Sequence, residues 1–316
     1  MENKSKMLKP PPKISQIYND LTKKSAILDI SEYGRITLAG TDALDLMNRL
    51  TTNQLDHLAI NSGCFTVLTS NKGRIKDLLY IFRQDEKKLL LITSPHNQTN
   101  VAEWIDFYTF SEDAKIHEIS AETKLISIVG PKCEMASKEF LTDMEKFTVF
   151  NSSIFGLPCT NFLIPNDHKS DLPQSATKLP DSSLLELIRL ERFVPLMNKD
   201  FGEQNNPLEA GLKNYISFSK GCYIGQEVIA RLDAYNKVQK LLVGLKWDED
   251  IQMETGSSLS YDGTNIGNIT SSLTFKSGGV GMGYLKKSYA TPNSILLGTN
   301  SIGISTKIKI SYIPDL

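Results

Sequence analysis

The sequence predicts an α+β chain that finishes in a closed β unit, and three observations carry this reading. Between Ala26 and Arg192, strand-sized apolar runs alternate with stretches of helical spacing. From Leu241 onward the helical periodicity stops, and short β-rich runs separated by glycine, serine and asparagine take over, as in a small barrel. The chain has 316 residues, more than one ordinary small core needs, so two or three packed units are expected. The expected division is 1–235 for two α+β lobes and 236–316 for the barrel.

The elements follow in order. The opening dozen residues, ending Pro10-Pro11-Pro12, read as a loose arm. Ile27 to Ile30 and Ile36 to Ala39 read as strands around a turn at Tyr33-Gly34. Thr41 is placed to cap a helix carrying Ala43, Leu44, Met47 and Leu50 at helical spacing. Phe65 to Leu68 and Ile75 to Phe82 form a hairpin across Ser70-Asn71-Lys72-Gly73. A strand at Leu89 to Ile92 precedes a helix from about Thr99 to Phe110. The pattern recurs as a strand at Leu125 to Val129, a helix from Pro131 and a strand at Phe162 to Ile164. Asn166 to Ser183 is polar and contains proline, as a surface loop would. Leu184 to Arg192 and Gln226 to Tyr235 are helical by pattern, with Val228, Ile229 and Leu232 on one apolar face of the second. The β-rich tail comprises Leu241 to Trp247, Asn265 to Ile269, Gly279 to Leu285 and Ile304 to Ile310.

Composition excludes several classes. Hydrophobic residues make up 40% and charged residues 22%, the balance of a globular rather than a disordered chain. With 35 basic and 36 acidic residues, no overall field draws the chain to nucleic acid, and direct nucleic-acid binding is not expected. No apolar run approaches the ~18 residues that span a membrane. Met1 to Pro12 has no apolar core, lacks arginine and carries Glu2, so neither a secretory signal nor a transit peptide is expected. Cys64, Cys133, Cys159 and Cys222 are scattered without paired spacing, which predicts a thiol-reduced, cytoplasmic protein.

The motif search yields exclusions first. Gly278-Gly279-Val280-Gly281-Met282-Gly283 fails the dinucleotide spacing and sits in the β-rich tail. No Cys-x-x-Cys or spaced histidine pair is present, and His57, His96, His117 and His168 are isolated, so no metal is expected. The informative stretch is Lys220-Gly221-Cys222-Tyr223-Ile224-Gly225-Gln226-Glu227, with Arg231 four residues on. A cysteine acts as nucleophile or ligand only as thiolate, which nearby positive charge favours. Glycines on both sides let the backbone approach a ligand or take positive φ. Cys222 just before a helix N-terminus, with Lys220 nearby, is expected to be moderately reactive, although Glu227 opposes this. Glu227 and Arg231 stand in the favourable i,i+4 order.

Three further segments stand out: Arg189-Leu190-Glu191-Arg192 through Pro195, Pro207-Leu208-Glu209-Ala210-Gly211-Leu212, and Asn71-Lys72-Gly73-Arg74-Ile75-Lys76-Asp77-Leu78. Together with the cysteine octapeptide, which is the most specific part, they resemble the YgfZ family. These are folate-binding proteins related to the glycine-cleavage T-protein and linked to iron–sulfur protein maturation. The resemblance runs from about Ile27 into the β-rich tail. It implies a T-protein-like fold, two α+β lobes and a C-terminal β-barrel around a central folate pocket.

It further implies tetrahydrofolate, or a derivative, as cofactor and iron–sulfur assembly or client proteins as partners. Glu191 would bind the pterin edge, since a carboxylate accepts two parallel N–H bonds from an amino-pyrimidinone. Arg189, Glu209, Lys220, Tyr223, Gln226 and Arg231 would complete the cofactor site, and Lys72, Arg74 and Lys76 could meet the glutamate tail. Cys222 would carry the thiol chemistry, with Asp77 the second catalytic residue. Two departures are visible. The T-protein segment ends in two consecutive aspartates where this chain has Asp77-Leu78, and Tyr235-Asn236 stands where many YgfZ relatives carry Arg-Gly. The implied function is a tetrahydrofolate-binding accessory protein for iron–sulfur proteins. The alternatives are a folate-dependent aminomethyl or methyl transferase and a folate-dependent factor in tRNA modification.

Overall fold

The structure is a computed structural model and describes residues 23, 25–138, 147–167, 177–178 and 182–315. The expected N-terminal arm, His168 and nearly all of the expected loop from Asn166 to Ser183 lie outside the described residues.

Two five-stranded sheets and a six-stranded closed barrel make up the fold. The chain starts in one sheet with β1 (Ala26–Asp29) and crosses at once into the other with β2 (Tyr33–Ala39). The turn between them is Ser31-Glu32, and Tyr33-Gly34 already belongs to β2. The sequence reading placed this turn two residues late because glycine is usually a turn marker. Here a Cβ on Gly34 would lie 2.2 Å from Thr93 Oγ1, so this glycine serves a close approach between strands.

The second sheet is built from consecutive antiparallel pairs: β3 (Ser62–Thr69), β4 (Ile75–Arg83) and β5 (Lys88–Pro95), then β2 and β6 (Lys115–Glu118) at the far edge. The hairpin from β3 to β4 is where the sequence places it. Helices α1 (Ala43–Leu50) and α2 (Gln98–Phe107) cover one face and bury Leu46, Met47, Leu50, Val101 and Ile105 against Ile36, Leu38, Leu79, Ile81 and Leu91. The expected cap by Thr41 does not form. Asp42 holds the N-cap position, and the Thr41 hydroxyl instead donates to Asp113 Oδ2 at 3.0 Å.

After β6 the chain returns to the first sheet with β7 (Thr123–Val129), α3 (Cys133–Ser137), β8 (Thr148–Ser152), β9 (Cys159–Pro165) and β10 (Thr177–Lys178), in the order β10-β1-β7-β9-β8. The two lobes are therefore interleaved, because β1 pairs with β7 about a hundred residues later in the chain. Strands β6 and β8 had no counterpart in the sequence reading. Each is short, and β6 is mostly polar, so neither presents a clear alternation.

Helix α4 (Ser182–Glu191) and helix α5 (Gln226–Ala234) precede the barrel, whose strands are β11 (Lys240–Trp247), β12 (Ser258–Tyr261), β13 (Thr264–Phe275), β14 (Gly278–Lys286), β15 (Ile295–Thr299) and β16 (Ser305–Tyr312). Pairing of β16 back onto β11 closes it. The glycine run in β14 makes room for a neighbour: a Cβ on Gly279 would lie 2.0 Å from the Trp247 ring. Trp247 is buried there and donates Nε1–H to Ile251 O at 3.0 Å. One apolar cluster spans both sheets, α4 and the barrel, through Leu28, Tyr80, Ile92, Leu125, Leu187, Leu242, Met282 and Tyr284. That shared core holds the central cavity between the lobes.

Candidate functional site

The central cavity is walled by Tyr33, Phe65, Leu78, Tyr80, Ile92, Thr93, Ser94, Ile154, Val194, Pro195, Leu196 and Phe201. Two β-bulges shape its polar corner. Opposite Leu68 and Thr69, strand β4 inserts Lys76 between Ile75 and Asp77, and opposite Gly34, strand β5 presents both Thr93 and Ser94. Bulges re-aim side chains and concentrate beside functional sites. At this corner Leu78, and not Asp77, forms part of the wall. Asp77 is fully buried: Oδ1 accepts from Leu78 N–H at 2.8 Å and from the Ser94 hydroxyl at 2.5 Å, and Oδ2 accepts from Ser94 N–H at 3.0 Å.

Burial pushes the Asp77 carboxyl up from 3.8 to about 6, against the opposing pull of these hydrogen bonds. Between those two values the folded chain keeps a proton that the unfolded chain has released, so stability falls as pH rises through that window. Relative to the non-titrating Asp77→Asn variant, the natural chain should lose about 3 kcal/mol between pH 3.5 and 7. Urea unfolding of both proteins across that range measures this; a constant difference would refute it.

The opposite wall follows α4. Its C-terminus is closed by Phe193 N–H to Leu190 O at 3.3 Å and Val194 N–H to Arg189 O at 2.7 Å, with Phe193 in the left-handed region at φ 54°. This double bond pattern is usually built on glycine. A phenylalanine holds it here with its ring 4.6 Å from that of Tyr312 on the last barrel strand. Val194, Pro195 and Leu196 are thereby set against the cavity.

Arg189 is 3% exposed and spent on the frame: Nε and Nη2 donate to Glu186 at 2.6 and 2.5 Å, and Nη1 donates to Asp200 Oδ2 at 2.7 Å. Asp200 Oδ1 in turn accepts from the Thr270 and Ser271 hydroxyls of β13 at 2.7 and 2.5 Å. The expected cofactor role of Arg189 thus meets a side chain already used to bolt α4 to the barrel. Glu191, half-buried, is the last residue of α4 and is not among the cavity-lining residues. Glu209 makes a reciprocal pair with Asn206, donating its N–H to Asn206 Oδ1 at 3.0 Å while its Oε2 accepts from Asn206 N–H at 3.3 Å.

The cysteine segment docks on the first lobe. Ser217 N–H donates to Thr52 O at 2.9 Å, Ile224 N–H to Arg49 O at 3.0 Å, and the Thr69 hydroxyl to Ile224 O at 2.6 Å. Lys220 Nζ donates to the carbonyls of Asn48, Thr51 and Asn53 at 2.6, 2.9 and 2.6 Å, capping the C-terminal end of α1. An ammonium has three N–H bonds, so none is left for Cys222 or a ligand. Burial lowers the Lys220 ammonium to about 8, while the three carbonyl dipoles favour its charged form. Tyr223 is buried beneath Lys220 Nζ, which stands 5.3 Å from its ring centre.

Gly225, at φ 85°, begins α5; a Cβ there would lie 2.5 Å from Ser70 O in the β3–β4 turn. The structure therefore packs the start of α5 directly onto the turn that precedes Asp77. Cys222 is exposed, with open space beyond Gly221. Gln226 is half-buried, Arg231 is exposed, and among the described residues no ion pair joins Glu227 to Arg231. None of these residues lines the cavity. Arg74 and Lys76 engage the next loop, through Arg74 Nη1 to Gln204 O at 2.7 Å and Lys76 Nζ to Glu203 at 2.9 Å. Among the described residues no group of three or more His, Cys, Asp or Glu side chains could hold a metal, and no helix is long and apolar enough to cross a membrane.

Comparison with known proteins fits this architecture. Residues 12–156 match the GCVT N-terminal domain family. A chloroplastic Arabidopsis thaliana protein, named provisionally as a transferase, is 31% identical over 306 residues, covering 89% of this chain and 70% of that protein. The chain belongs to the T-protein (aminomethyltransferase) family. Within the family, the aminomethyltransferase of Thermoanaerobacter pseudethanolicus is 24% identical over 294 residues, which is 84% of this chain and 79% of that enzyme. The crystal structure of glycine cleavage system aminomethyltransferase T from Bartonella henselae superposes with a TM-score of 0.82 at 17% identity, over 95% of this chain and 89% of that one. That match establishes the T-protein-like fold expected from the sequence.

The cavity can be tested against the folate that the resemblance implies. Its flat aromatic and aliphatic walls suit a planar ring, and Ser94, Thr93 and the tyrosines supply polar edges. Its volume is about 40 Å³, room for one or two water molecules, so ring entry requires Phe65, Leu78 or Leu196 to swing aside. All three are only partly buried, which leaves them that freedom. Tyr33 and Leu78, both in this wall, were missed as site residues by the sequence reading. Tyr33 was taken for a turn, and a strand bulge leaves no mark in an apolar pattern.

Proposed function

We propose that this chain binds a reduced folate between its lobes and acts in assembly or repair of iron–sulfur proteins through Cys222, without transferring an aminomethyl group. The observation that carries this reading is the cavity corner. Leucine occupies the wall at position 78, and the neighbouring carboxylate of Asp77 is buried and bonded on both oxygens. Proton transfer at a bound amine needs an acid or base within hydrogen-bond reach, and no carboxylate lines this cavity. A reduced folate supplies a nucleophilic ring nitrogen and a reducing ring. The protein supplies flat walls, with Glu191 in reach of the pterin edge once the wall has opened, residues 1–235 as the folate-binding part and 236–316 as its supporting barrel.

Support for the iron–sulfur role comes from the Lys220–Glu227 resemblance and from the exposure of Cys222, which can meet a partner's cluster or thiol. Because the described residues hold no cluster cage, further ligands would come from that partner or a second copy. The test is restoration of iron–sulfur enzyme activities in cells lacking this protein. The natural chain should rescue, and Cys222→Ala should fail while melting at the same temperature, since an exposed thiol contributes little to stability. Rescue by Cys222→Ala would remove the thiol from the mechanism. The aminomethyltransferases among the relatives favour a second reading, a folate-dependent transferase. Turnover of an aminomethyl donor with tetrahydrofolate as acceptor would establish it and overturn the first.

A further inference from the structure

The cavity wall carries four side-chain hydroxyls, and their bonding separates one from the rest. Tyr80 donates to Asn151 O at 2.5 Å, Thr93 to Ser94 O at 2.9 Å, and Ser94 to Asp77 Oδ1 at 2.5 Å. Tyr33 is 8% exposed, and among the described residues its hydroxyl makes no hydrogen bond. A buried hydroxyl without a partner costs stability and is retained where something else completes it. The ring is fixed, packed edge-on to Phe155 at 6.2 Å, and its backbone lies at the β2–β5 bulge that re-aims the strand.

Resting on the folate reading above, we propose that Tyr33 is the ligand-anchoring residue of this cavity, its hydroxyl donating to a carbonyl or ring-nitrogen acceptor on an uncharged, planar heteroaromatic ring. The ring is uncharged because no charged side chain lines the cavity, and an ion would enter there without a counter-charge. Donation is available throughout the physiological range, because burial, assisted by Glu32, holds the phenol far above its ordinary value. Of the wall's hydroxyls, Tyr33 alone can bond a ligand without breaking a bond inside the protein.

The experiment has two arms on the full chain. Calorimetric titration with 5-formyltetrahydrofolate, a stable reduced folate, compares the natural protein with Tyr33→Phe, which keeps the ring and removes only the hydroxyl. Loss of one buried hydrogen bond to the ligand should weaken binding about tenfold. In the second arm, ligand-free melting compares Tyr33→Phe with Tyr80→Phe. Tyr80→Phe loses a protein hydrogen bond and should melt about 2 °C lower, whereas Tyr33→Phe should melt at or above the natural temperature. Equal affinity of Tyr33→Phe and the natural chain would overturn the Tyr33 assignment and leave the folate reading intact. A melting loss in Tyr33→Phe matching that of Tyr80→Phe would overturn it independently of any ligand, by showing that the hydroxyl has a protein partner. Failure of the natural chain to bind would instead sink the folate reading, and the heteroaromatic anchor with it.

Discussion

Asp200→Ala is expected to destabilise the chain by about 3–5 kcal/mol, the cost of leaving a buried ion without its partner. Asp200 is 2% exposed and stands between three parts of the molecule. Its Oδ2 accepts from Arg189 Nη1 of α4 at 2.7 Å and from Leu196 N–H of the cavity wall at 3.0 Å, while Oδ1 receives the Thr270 and Ser271 hydroxyls of the barrel. Removing the carboxylate leaves Arg189 with Glu186 as its remaining anionic partner and frees two buried hydroxyls. Urea unfolding would measure the loss. A value below about 1 kcal/mol, the range of exposed pairs, would mean that water reaches this network. Because Leu196 is part of the wall, folate binding should weaken along with stability.

Lys220→Met is expected to cost about 3 kcal/mol, since two or three charge-assisted hydrogen bonds disappear and buried carbonyls lose their donors. The carbonyls of Asn48, Thr51 and Asn53 converge on Nζ at the end of α1, and methionine fills the space without replacing any bond. The same variant separates two roles for the lysine beside the cysteine. If Lys220 acts as a structural clamp, Lys220→Met lowers the melting temperature while alkylation of Cys222 in the remaining folded protein keeps its pH profile. A shifted alkylation profile with unchanged stability would restore the expectation that Lys220 tunes the thiol.

The segments singled out in the sequence and their places in the fold diverge in an instructive way. Arg189, Lys220 and Tyr223 were read as cofactor contacts, yet each is buried and bonded into the frame. The reading registered that these residues are unusual for their surroundings, and a buried guanidinium or ammonium with several partners is as constrained as a ligand contact. Spacing along the chain cannot distinguish the two, because the partners lie far away: Lys220 meets carbonyls about 170 residues earlier. Asp77 shows the same limit at shorter range. A one-residue bulge decides whether the aspartate or Leu78 faces the cavity, and that bulge comes from pairing with β3.

By itself, the sequence determined the α+β class, the β3–β4 hairpin, the helix after Gly225, the barrel-forming tail and the relationship to the T-protein family. Those features are written in local periodicity, turn chemistry and short motifs, which neighbouring residues settle among themselves. Tertiary structure alone decided that the lobes interleave through β1, that Leu78 and Tyr33 wall the cavity, and that Arg189 and Lys220 are bolts. Each of these depends on which distant backbone carbonyl, carboxylate or strand is brought within about 3 Å, a hydrogen-bond distance that only the folded chain creates.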